Sequence, residues 1–503
     1  MKKVSCATYE GLEAKVVEVE STLTKGLPSF SIVGIASTAI TEAKERVKSA
    51  LLCNEFTFPP KRITINLAPS DLKKEGSHFD LSFALLIALD YIKEDLSDWF
   101  VFGELGLDGS VKENNTLYPL ILSLANQGLI KKAIVPKESL EKLSKIPRLE
   151  LYGVSYLKEA IDLLQNNDAY KPTINTQELG HSFYELHSKK YYYQKEYKKD
   201  FIEIKGQEFA KRAALIAASG FHNILLEGSP GSGKTMIAQR LQYILPPVEL
   251  SEILEIAKLN TLDGVEPNFE PQRMMRSPHH TATQASIFGG GSHKAQIGEV
   301  GLANKGILFF DELPYFSKNV LEALREPMQD NKIRISRVHS KVEYDADFLF
   351  VGAMNPCPCG NLLHKSKECR CSELEIKRYA NRLSEPFLDR IDLMVQMQSS
   401  NLHDTDTYSS EELHKKVAMA HIFAHQRGQK KFNARLNDDE LEMFCVMSEE
   451  AKNSFTLAVD RFALSFRSQA KVKKVSRTIA DLDKSEFIEK KHLLEALSYR
   501  KRR

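Results

Sequence analysis

Residues 228–235 read Gly228-Ser229-Pro230-Gly231-Ser232-Gly233-Lys234-Thr235. They follow a short apolar run, Ile224-Leu-Leu226, and precede a stretch over 236–245 with helical spacing of apolar residues. This is the phosphate-loop pattern G-x-x-x-x-G-K-[ST] in its strand–loop–helix context, in which backbone N–H groups surround phosphate oxygens. Lys234 would carry its charge to the β- and γ-phosphates, and the Thr235 hydroxyl would ligate Mg²⁺. The segment therefore predicts an α/β domain that binds ATP and Mg²⁺.

Acidic and amide side chains follow two further strand-like runs. Gly306-Ile-Leu-Phe-Phe310 ends in Asp311-Glu312, and Phe348-Leu-Phe-Val351 leads to Asn355. Open α/β sheets place their ligand chemistry at the carboxyl ends of parallel strands. We therefore predict that Asp311 holds the Mg²⁺ shell, that Glu312 activates the attacking water, and that Asn355 positions this water as sensor 1.

Two arginines are candidates for stabilising the transferred phosphoryl group. Arg390 lies in Pro386-Phe-Leu-Asp-Arg-Ile-Asp392, and Arg467 lies at the start of a predicted helix. Phosphoryl transfer needs more positive charge at the γ-phosphate than one lysine supplies. We predict that Arg390 reaches the nucleotide of a neighbouring subunit and that Arg467, on a helix over the nucleotide, is sensor 2. Structural roles for both, and Arg477 as another sensor, stay open.

Four of the seven cysteines lie in one short segment, as the pairs Cys357-Pro-Cys359 and Cys369-Arg-Cys371. Four thiolates at short spacing suit tetrahedral Zn²⁺, although C-x-C is tighter than the usual C-x-x-C. The odd cysteine count argues against a disulfide framework. We predict a structural Zn²⁺ site that fixes the loop carrying Asn355, with reduced structural thiols as the alternative.

Alternating residues predict a β-hairpin just before the Asn355 strand. Lys332-Ile-Arg-Ile-Ser-Arg337 and Val342-Glu-Tyr-Asp-Ala-Asp347 flank a turn. Arg337, His339 and Lys341 would lie near its tip and contact the phosphates of single-stranded or branched DNA without reading sequence. A hairpin whose face is only solvated is the alternative.

The chain divides into four regions by composition and periodicity. We expect a mixed α/β N-terminal domain over 1–170, a charged and Tyr-rich linker over 171–200, an ATPase core over 201–398 and a helical lid over 399–503. In the first region, the patterns predict strands over 14–19, 30–33 and 63–67 and helices over 41–52 and 81–91.

The bulk composition is that of an ordinary globular protein, with a formal net charge of +2, 42% hydrophobic and 27% charged residues. A charge so close to zero leaves any DNA contact to local patches. The N-terminus lacks the apolar stretch of a signal peptide, and no run of about 18 apolar residues predicts a membrane span. We therefore expect a cytoplasmic protein without membrane contact.

These motifs together resemble the ComM/YifB family of bacterial magnesium-chelatase-like AAA+ proteins. Beside the phosphate loop, the resemblance rests on Asp311-Glu-Leu-Pro314, Asn355-Pro-Cys-Pro-Cys-Gly360 and Phe387-Leu-Asp-Arg-Ile-Asp392. It covers nearly the whole chain, since further matching segments are Gly26–Gly34, Phe58–Pro69, Arg276–His280, Gly289–Gly291, Gly298–Ala303 and Arg477–Leu482.

The resemblance implies a hexameric AAA+ helicase that drives branch migration in recombination and helps competent bacteria integrate incoming single-stranded DNA. It also implies the helix-2 insert and presensor-1 hairpin of the magnesium chelatases. The first region is similar to the Lon protease fold, but His78 stands at the nucleophilic serine position and residues 116–121 lack the catalytic lysine. A Ser–Lys dyad needs both groups. We predict an inactive Lon-like α+β domain that serves assembly or partner binding.

Three other functions stay open beside an ATP-driven helicase. A chelatase-type ATPase would remodel a partner protein without DNA. An ATP-dependent Lon-like protease is opposed by the missing lysine, and a nucleotide-gated scaffold is opposed by the intact pair Asp311-Glu312. Fold and site do not decide the substrate by themselves.

Overall fold

The computed structural model describes residues 2–11, 13–90, 96–166, 169–174, 179–290, 297–336, 341–364, 367–398 and 408–500, with backbone alone at 335–336 and 341–342. The chain forms two compact units. The first comprises Met1–Gly180 and Ala257–Phe269, and the second comprises His181–Ile256 and Glu270–Arg503. Among the described residues, no helix combines the length and apolar character needed to cross a membrane.

A mixed seven-stranded sheet organises the first unit, with the strand order β3-β4-β2-β1-β5-β8-β9. Its strands are β1 (Lys2–Glu10), β2 (Glu13–Thr24), β3 (Ser29–Val33), β4 (Arg62–Ala68), β5 (Phe100–Val101), β8 (Lys132–Pro136) and β9 (Glu150–Val154); β6 (Glu104–Leu105) and β7 (Val111–Lys112) form a separate small sheet. Its helices are α1 (Thr38–Cys53), α2 (Asp80–Ala88), α3 (Leu117–Asn126), α4 (Leu140–Leu143) and α5 (Leu157–Gln165). The strands and helices predicted for this region are confirmed, because alternating and amphipathic patterns report burial on one face. The helix predicted over 81–91 ends at Ala88, and Tyr91 lies outside the described residues.

Segment 257–269 packs on the rest of the first unit although it lies far along the chain. The ring of Phe269 makes an edge contact with Tyr118 at 5.5 Å between centroids, and the Lys145 ammonium lies 5.2 Å from the Phe269 ring centre. Lys142 lies 3.2 Å from Glu113 and 2.9 Å from Glu266. The first unit is therefore discontinuous in sequence.

His78 is buried in the first unit, where its ring Nε2 lies 2.8 Å from the Ala7 carbonyl oxygen. That nitrogen must carry the proton, because a carbonyl only accepts hydrogen bonds. Burial lowers the pKa of His78 to about 4, although the Ala7 carbonyl and the Glu104 charge act in the opposite direction. Lys74 is also buried and donates to the Pro69 carbonyl.

A parallel five-stranded sheet forms the centre of the second unit, in the order β14-β15-β18-β12-β19. Its strands are β12 (Ile224–Gly228), β14 (Met275–Arg276), β15 (Ile307–Phe310), β18 (Leu349–Met354) and β19 (Leu393–Met397). The flanking helices are α6 (Glu208–Gly220), α7 (Lys234–Leu241), α8 (Leu250–Leu262), α9 (Gln284–Phe288), α10 (Glu299–Leu302), α11 (Lys318–Ala323), α12 (Arg325–Asp330), α13 (Glu373–Ala380) and α14 (Glu385–Leu388). The apolar runs are buried on both faces, as expected for parallel strands.

The sequence predicts a linker over 171–200, whereas part of this segment is a β-hairpin. Strands β10 (Ser182–Leu186) and β11 (Lys189–Tyr193) pair with each other and with β13 (Val248–Glu249). Tyr191 and Tyr192 are buried. The Tyr184 hydroxyl lies 3.0 Å from His421 Nδ1. The high charge of this segment favours a solvated connector, but burial of the tyrosine rings stabilises a hairpin instead.

The C-terminal part of the second unit is helical over its described residues, as predicted. Its helices are α15 (Ser410–Gln426), α16 (Asp438–Phe444), α17 (Glu449–Phe462), α18 (Phe466–Leu482) and α19 (Lys490–Ser498). Capping boxes at Ser409 and Asn437 begin α15 and α16, since each side chain satisfies a backbone N–H of the first turn. The separation of this part from 201–398 as its own domain stays a prediction.

Candidate nucleotide-binding site

The phosphate loop connects the carboxyl end of β12 to the first residue of α7. Gly231 and Gly233 have φ values of 79° and 92°, in the left-handed region that glycine adopts without strain. A Cβ at Gly231 would meet no atom within 4 Å. Glycine is therefore needed at 231 for backbone conformation, and not because of a packing constraint.

Lys234 lies inside the loop. Its Nζ donates to the carbonyl oxygens of Gly228 at 2.7 Å and Ser229 at 3.0 Å and to Asn355 Oδ1 at 3.1 Å. Burial lowers the pKa of Lys234, while the charge of Asp311 raises it. The hydroxyls of Ser229 and Ser232 are buried and have no hydrogen-bond partner within the described chain. An ammonium and two unpaired hydroxyls at a glycine loop fit the oxygens of a polyphosphate.

The acidic pair after β15 faces the start of α7. Thr235 Oγ1 donates to Asp311 Oδ2 at 2.8 Å, and the Glu312 N–H donates to Asp311 Oδ1 at 2.9 Å. The two side chains predicted to hold Mg²⁺ are thus brought together, with hard oxygen donors of the kind that Mg²⁺ prefers.

Glu312 has a left-handed backbone, with φ of 51°. Such backbone strain in a residue other than glycine is concentrated at functional sites. The Glu312 carboxylate is half exposed and lies 3.5 Å from His280 Nδ1, which forms an ion pair with it when protonated. No motif in the sequence indicated this contact.

Asn355 follows β18 directly and is brought to Lys234 at the same edge of the sheet. The next turn, 357–360, is closed by a 3.0 Å hydrogen bond from the Gly360 N–H to the Cys357 carbonyl. Gly360 has φ of 77°, and a Cβ there would lie only 2.5 Å from Pro230 Cδ. The turn after Asn355 therefore packs on the phosphate loop, a contact that no motif in the sequence indicated.

Arg390 and Arg467 are brought together, but away from the phosphate loop. Both donate to Gln329 Oε1, at 2.8 Å and 2.7 Å respectively. Arg390 also donates to the Arg325 and Pro386 carbonyls, at 3.1 Å and 2.5 Å. Burial and the nearby Arg467 and Arg325 charges lower the pKa of Arg390.

The sheet register separates this arginine pair from the phosphates. Strands β12 and β19 are parallel, and Ile224 pairs with Leu393 while Gly228 pairs with Met397. Arg390 precedes Leu393, so it lies at the amino edge of the sheet, at least about 13 Å from the Gly228 end for five residues of strand. Within the described chain its hydrogen bonds do not reach residues 228–235. The expected position of Arg467 over the nucleotide of its own chain is not observed, because its helix turns this side chain to Gln329.

Comparison with known proteins places these residues in a family context. The chain is 38% identical over 501 residues to Competence protein ComM of Haemophilus influenzae, covering 97% of this chain and 95% of the relative. It is 36% identical to YifB of Salmonella typhimurium, with the same coverage. The chain belongs to the ComM/YifB family. A more distant relative, the Magnesium-chelatase 67 kDa subunit of Heliobacterium mobile, is 25% identical over 30% of this chain.

Three family descriptions cover most of this ComM/YifB member. Residues 200–405 match magnesium chelatase, subunit ChlI. Residues 19–139 match subunit ChlI of Mg-chelatase, and residues 407–500 match magnesium chelatase, subunit ChlI C-terminal. The first match contains the phosphate loop, the acidic pair and Asn355, so the assembled site lies in a magnesium-chelatase-like domain of mixed α/β content.

This family member also carries the four thiols Cys357, Cys359, Cys369 and Cys371, hereafter the cysteine cluster. Their sulfur atoms lie within 4.8 Å of one another, an arrangement that could hold a metal ion. The Asn361 and Arg370 N–H groups lower the pKa of the Cys359 thiol to about 6. The structure thus brings all four predicted ligands together.

Arg477, the alternative sensor residue, has a structural role. It is fully buried and donates to Asp481 Oδ1 at 3.0 Å and to the Glu486 carbonyl at 2.8 Å, with a further bond to the Ser485 carbonyl. These bonds tie the end of α18 to the following loop. All three guanidinium nitrogens of Arg477 are engaged in these bonds, so the side chain is held between its own helix and the following loop.

The predicted hairpin of this ComM/YifB chain is confirmed as strands β16 (Lys332–Ser336) and β17 (Lys341–Asp345), which pair in antiparallel register. Arg337 and His339 lie outside the described residues, and for Lys341 only the backbone is described. At the base of the hairpin, Lys332 and Arg334 form ion pairs with Glu343. These two basic residues are therefore already neutralised by a partner.

Proposed function

We propose that this protein hydrolyses ATP with Mg²⁺ as an AAA+ ATPase. The observation that carries the proposal is the meeting of three segments at one edge of the sheet. Lys234 bonds Asn355 at 3.1 Å, and Thr235 bonds Asp311 at 2.8 Å. Phosphoryl transfer requires the groups that meet here: the phosphate loop, the buried Lys234 ammonium, the Thr235 and Asp311 oxygens and the Asn355 amide.

Each residue has a proposed task. Lys234 would leave its two carbonyl partners and bind the β- and γ-phosphates, whereas residues 228–235 would surround them with N–H groups. Thr235 and Asp311 would hold Mg²⁺, which neutralises phosphate charge when bound. Glu312 would orient and deprotonate the attacking water, and Asn355 would fix its position.

We further propose that the protein acts as a homo-oligomer, a hexameric ring. Arg390 and Arg467 lie at the amino edge of the sheet and share Gln329, so they cannot bind the γ-phosphate of their own chain without large movement. An arginine supplied by the neighbouring subunit would complete the charge at the transition state. In this proposal the domains are 1–170, to which residues 257–269 are added, the rest of 201–398 with a helix-2 insert and a presensor-1 hairpin, and 399–503 as a lid.

For the first region we propose a Lon-like fold without peptidase activity and a role in assembly or partner binding. His78 occupies the position of the nucleophile and is bound to the Ala7 carbonyl inside the unit. Lys74 is bound to the Pro69 carbonyl. Neither group offers the serine–lysine pair that such a peptidase needs. For the cysteine cluster we propose structural Zn²⁺.

We propose single-stranded or branched DNA as the substrate on which the motor acts, in transformation or recombination. The support is the relationship to a protein named for competence, together with the basic residues Arg337, His339 and Lys341 around the hairpin tip. The match to a magnesium chelatase subunit favours a second candidate, an ATPase that remodels a partner protein without DNA.

The test is ATP hydrolysis with and without single-stranded and forked DNA. We expect DNA to stimulate the parent protein, and alanine at 337, 339 and 341 to remove the stimulation while basal hydrolysis persists. Each lost phosphate contact should lower the salt dependence of single-strand binding by about 0.7 in slope. A matched control replaces Lys332 and Arg334, whose charges are paired with Glu343. Absence of DNA binding by the parent protein at low salt would favour the protein-remodelling function.

A further inference from the structure

The cysteine cluster has the dimensions of a tetrahedral metal site. Cys357 Sγ lies 3.4 Å from Cys359 Sγ and 3.7 Å from Cys369 Sγ, and the Cys359 and Cys369 sulfurs are 3.6 Å apart. Four sulfurs around one Zn²⁺ with bonds of about 2.3 Å stand about 3.8 Å from each other. The observed distances approach this value and exceed the roughly 2.05 Å of a disulfide bond. The ligand set is soft and complete, which suits a structural ion.

The same segment supports the nucleotide site at two points. Asn355, two residues before Cys357, bonds Lys234 at 3.1 Å. Gly360, the residue after Cys359, packs so closely on the phosphate loop that a Cβ would lie 2.5 Å and 2.7 Å from two ring carbons of Pro230. Residues 355–360 therefore contain two of the four cysteines and both of these contacts with the phosphate loop.

We infer that metal in the cysteine cluster controls nucleotide affinity, because the metal holds the 357–360 turn against Pro230 and keeps Asn355 on Lys234. Cys369 and Cys371 lie further along the same connection between β18 and α13, and a shared ion links them to the turn. Loss of the ion removes this link and frees the turn to move away from the phosphate loop. The inference rests on the proposed nucleotide site, and it adds that the affinity of this site for nucleotide depends on metal in the cysteine cluster.

The first measurement is the metal content of the full-length protein, purified without added metal. We expect about one zinc per chain. Cys369→Ser with Cys371→Ser should abolish zinc binding, whereas Cys53→Ser should retain it, since Cys53 is an exposed thiol of the first unit. Iron in place of zinc, or four titratable thiols in a folded and metal-free parent protein, would overturn the zinc assignment.

The second measurement is affinity for a fluorescent ATP analogue, which needs no turnover. Gly360→Ala leaves all four thiols in place but forces a methyl against Pro230, so it should retain zinc. Overpacking of this kind should weaken nucleotide binding about 5- to 100-fold. The matched control is Gly264→Ala, where φ is 81° but a Cβ meets no atom within 4 Å. Gly264→Ala introduces similar strain at a positive φ but no close contact, so the affinity of this variant for the ATP analogue should match that of the parent protein.

The outcomes separate the inference from the function on which it rests. A parent protein that binds zinc but no ATP analogue overturns the proposed ATPase. A parent that binds both, with Gly360→Ala and the double serine variant binding the analogue equally well, overturns only the coupling. Weaker analogue binding in both variants, with zinc retained in Gly360→Ala alone, supports the inference even if the double serine variant is partly unfolded.

Discussion

Lys234 Nζ and Asn355 Oδ1 are joined by a 3.1 Å hydrogen bond, although 121 residues separate them in the chain. The bond links the phosphate loop of β12 to the end of the neighbouring strand β18, where Leu226 pairs with Ala353. A lysine held by one amide and two carbonyl oxygens lies at the edge of the sheet where the phosphates are proposed to bind. It exchanges its two carbonyl partners for phosphate oxygens when nucleotide binds.

Lys234→Ala should lower ATP turnover by at least about 100-fold, because a positive charge at the transferred phosphate is lost. The measurement is phosphate release at saturating ATP. Lys415→Ala is the control, since Lys415 is an exposed lysine of helix α15. Turnover within a factor of about two of the parent protein would contradict the role given to Lys234.

Arg390→Ala should bind nucleotide but lose hydrolysis, and Glu312→Gln should do the same for a different reason. The first lacks the charge offered to the neighbour, and the second cannot activate water in its own site. Mixing the two variants should restore part of the activity, because some interfaces then pair an intact Arg390 with an intact Glu312.

The control for this mixture replaces Arg390→Ala with Arg378→Ala, an exposed arginine of α13. Arg378→Ala alone should hydrolyse ATP normally. If no mixing ratio of Arg390→Ala and Glu312→Gln recovers hydrolysis, although the subunits exchange, the proposed action across subunits is wrong.

Arg477→Met should lower the free energy of unfolding of the helical region by roughly 1–3 kcal/mol, since the Ser485 and Glu486 carbonyls lose their donor while Asp481 keeps its ion pair with Arg427. Urea unfolding followed by circular dichroism measures the helices. Fluorescence of Trp99, the single tryptophan, follows the first unit and should change little. Lys452→Met removes an exposed ion pair with Glu449 and should cost less than about 1 kcal/mol. Equal effects of both substitutions would contradict the structural role of Arg477.

His78 should lower the stability of the first unit as the pH falls from 6.5 towards 4, whereas Asp80, whose pKa is raised to about 6 by burial, acts in the opposite direction. His78 has its pKa lowered to about 4 by burial, so between these values the unfolded chain binds a proton that the folded unit does not. The full effect is roughly 3 kcal/mol, present above pH 6.5 and lost as the pH falls through the folded pKa. Trp99 fluorescence during urea unfolding at several pH values gives the measurement. His78→Gln should flatten the profile, and His187→Gln, an exposed histidine of the second unit, should not.

Patterns that act over a few residues predicted much of the fold. The phosphate loop is marked by its glycines, the strands before Asp311 and Asn355 by apolar runs, and the C-terminal helices by capping residues. Each signal lies in adjacent residues, because backbone conformation, burial on both faces of a strand and helix capping are local properties. The convergence of Thr235 with Asp311 followed from a general rule, since parallel strands place their carboxyl ends together.

Contacts that depend on the packing of segments distant in sequence were not predictable from such local patterns. Nothing in the residues around Gly360 says that its backbone packs on Pro230, and no motif marks Gln329 as the shared acceptor of Arg390 and Arg467. The hairpin over 182–193 was missed because two adjacent lysines precede three adjacent tyrosines at 189–193, without an alternating pattern. The composition suggests solvation, whereas the tyrosine rings are buried.

The discontinuity of the first unit limits how this chain can be divided or recombined. A fragment ending at Gly180 lacks Phe269, which lies against Tyr118, and Glu266, which pairs with Lys142. A chimera that exchanges only the N-terminal region with a relative would therefore place foreign side chains against residues 257–269. Exchange of both segments as one set would preserve these contacts, so the structural unit to exchange is a pair of separated stretches and not a single continuous module.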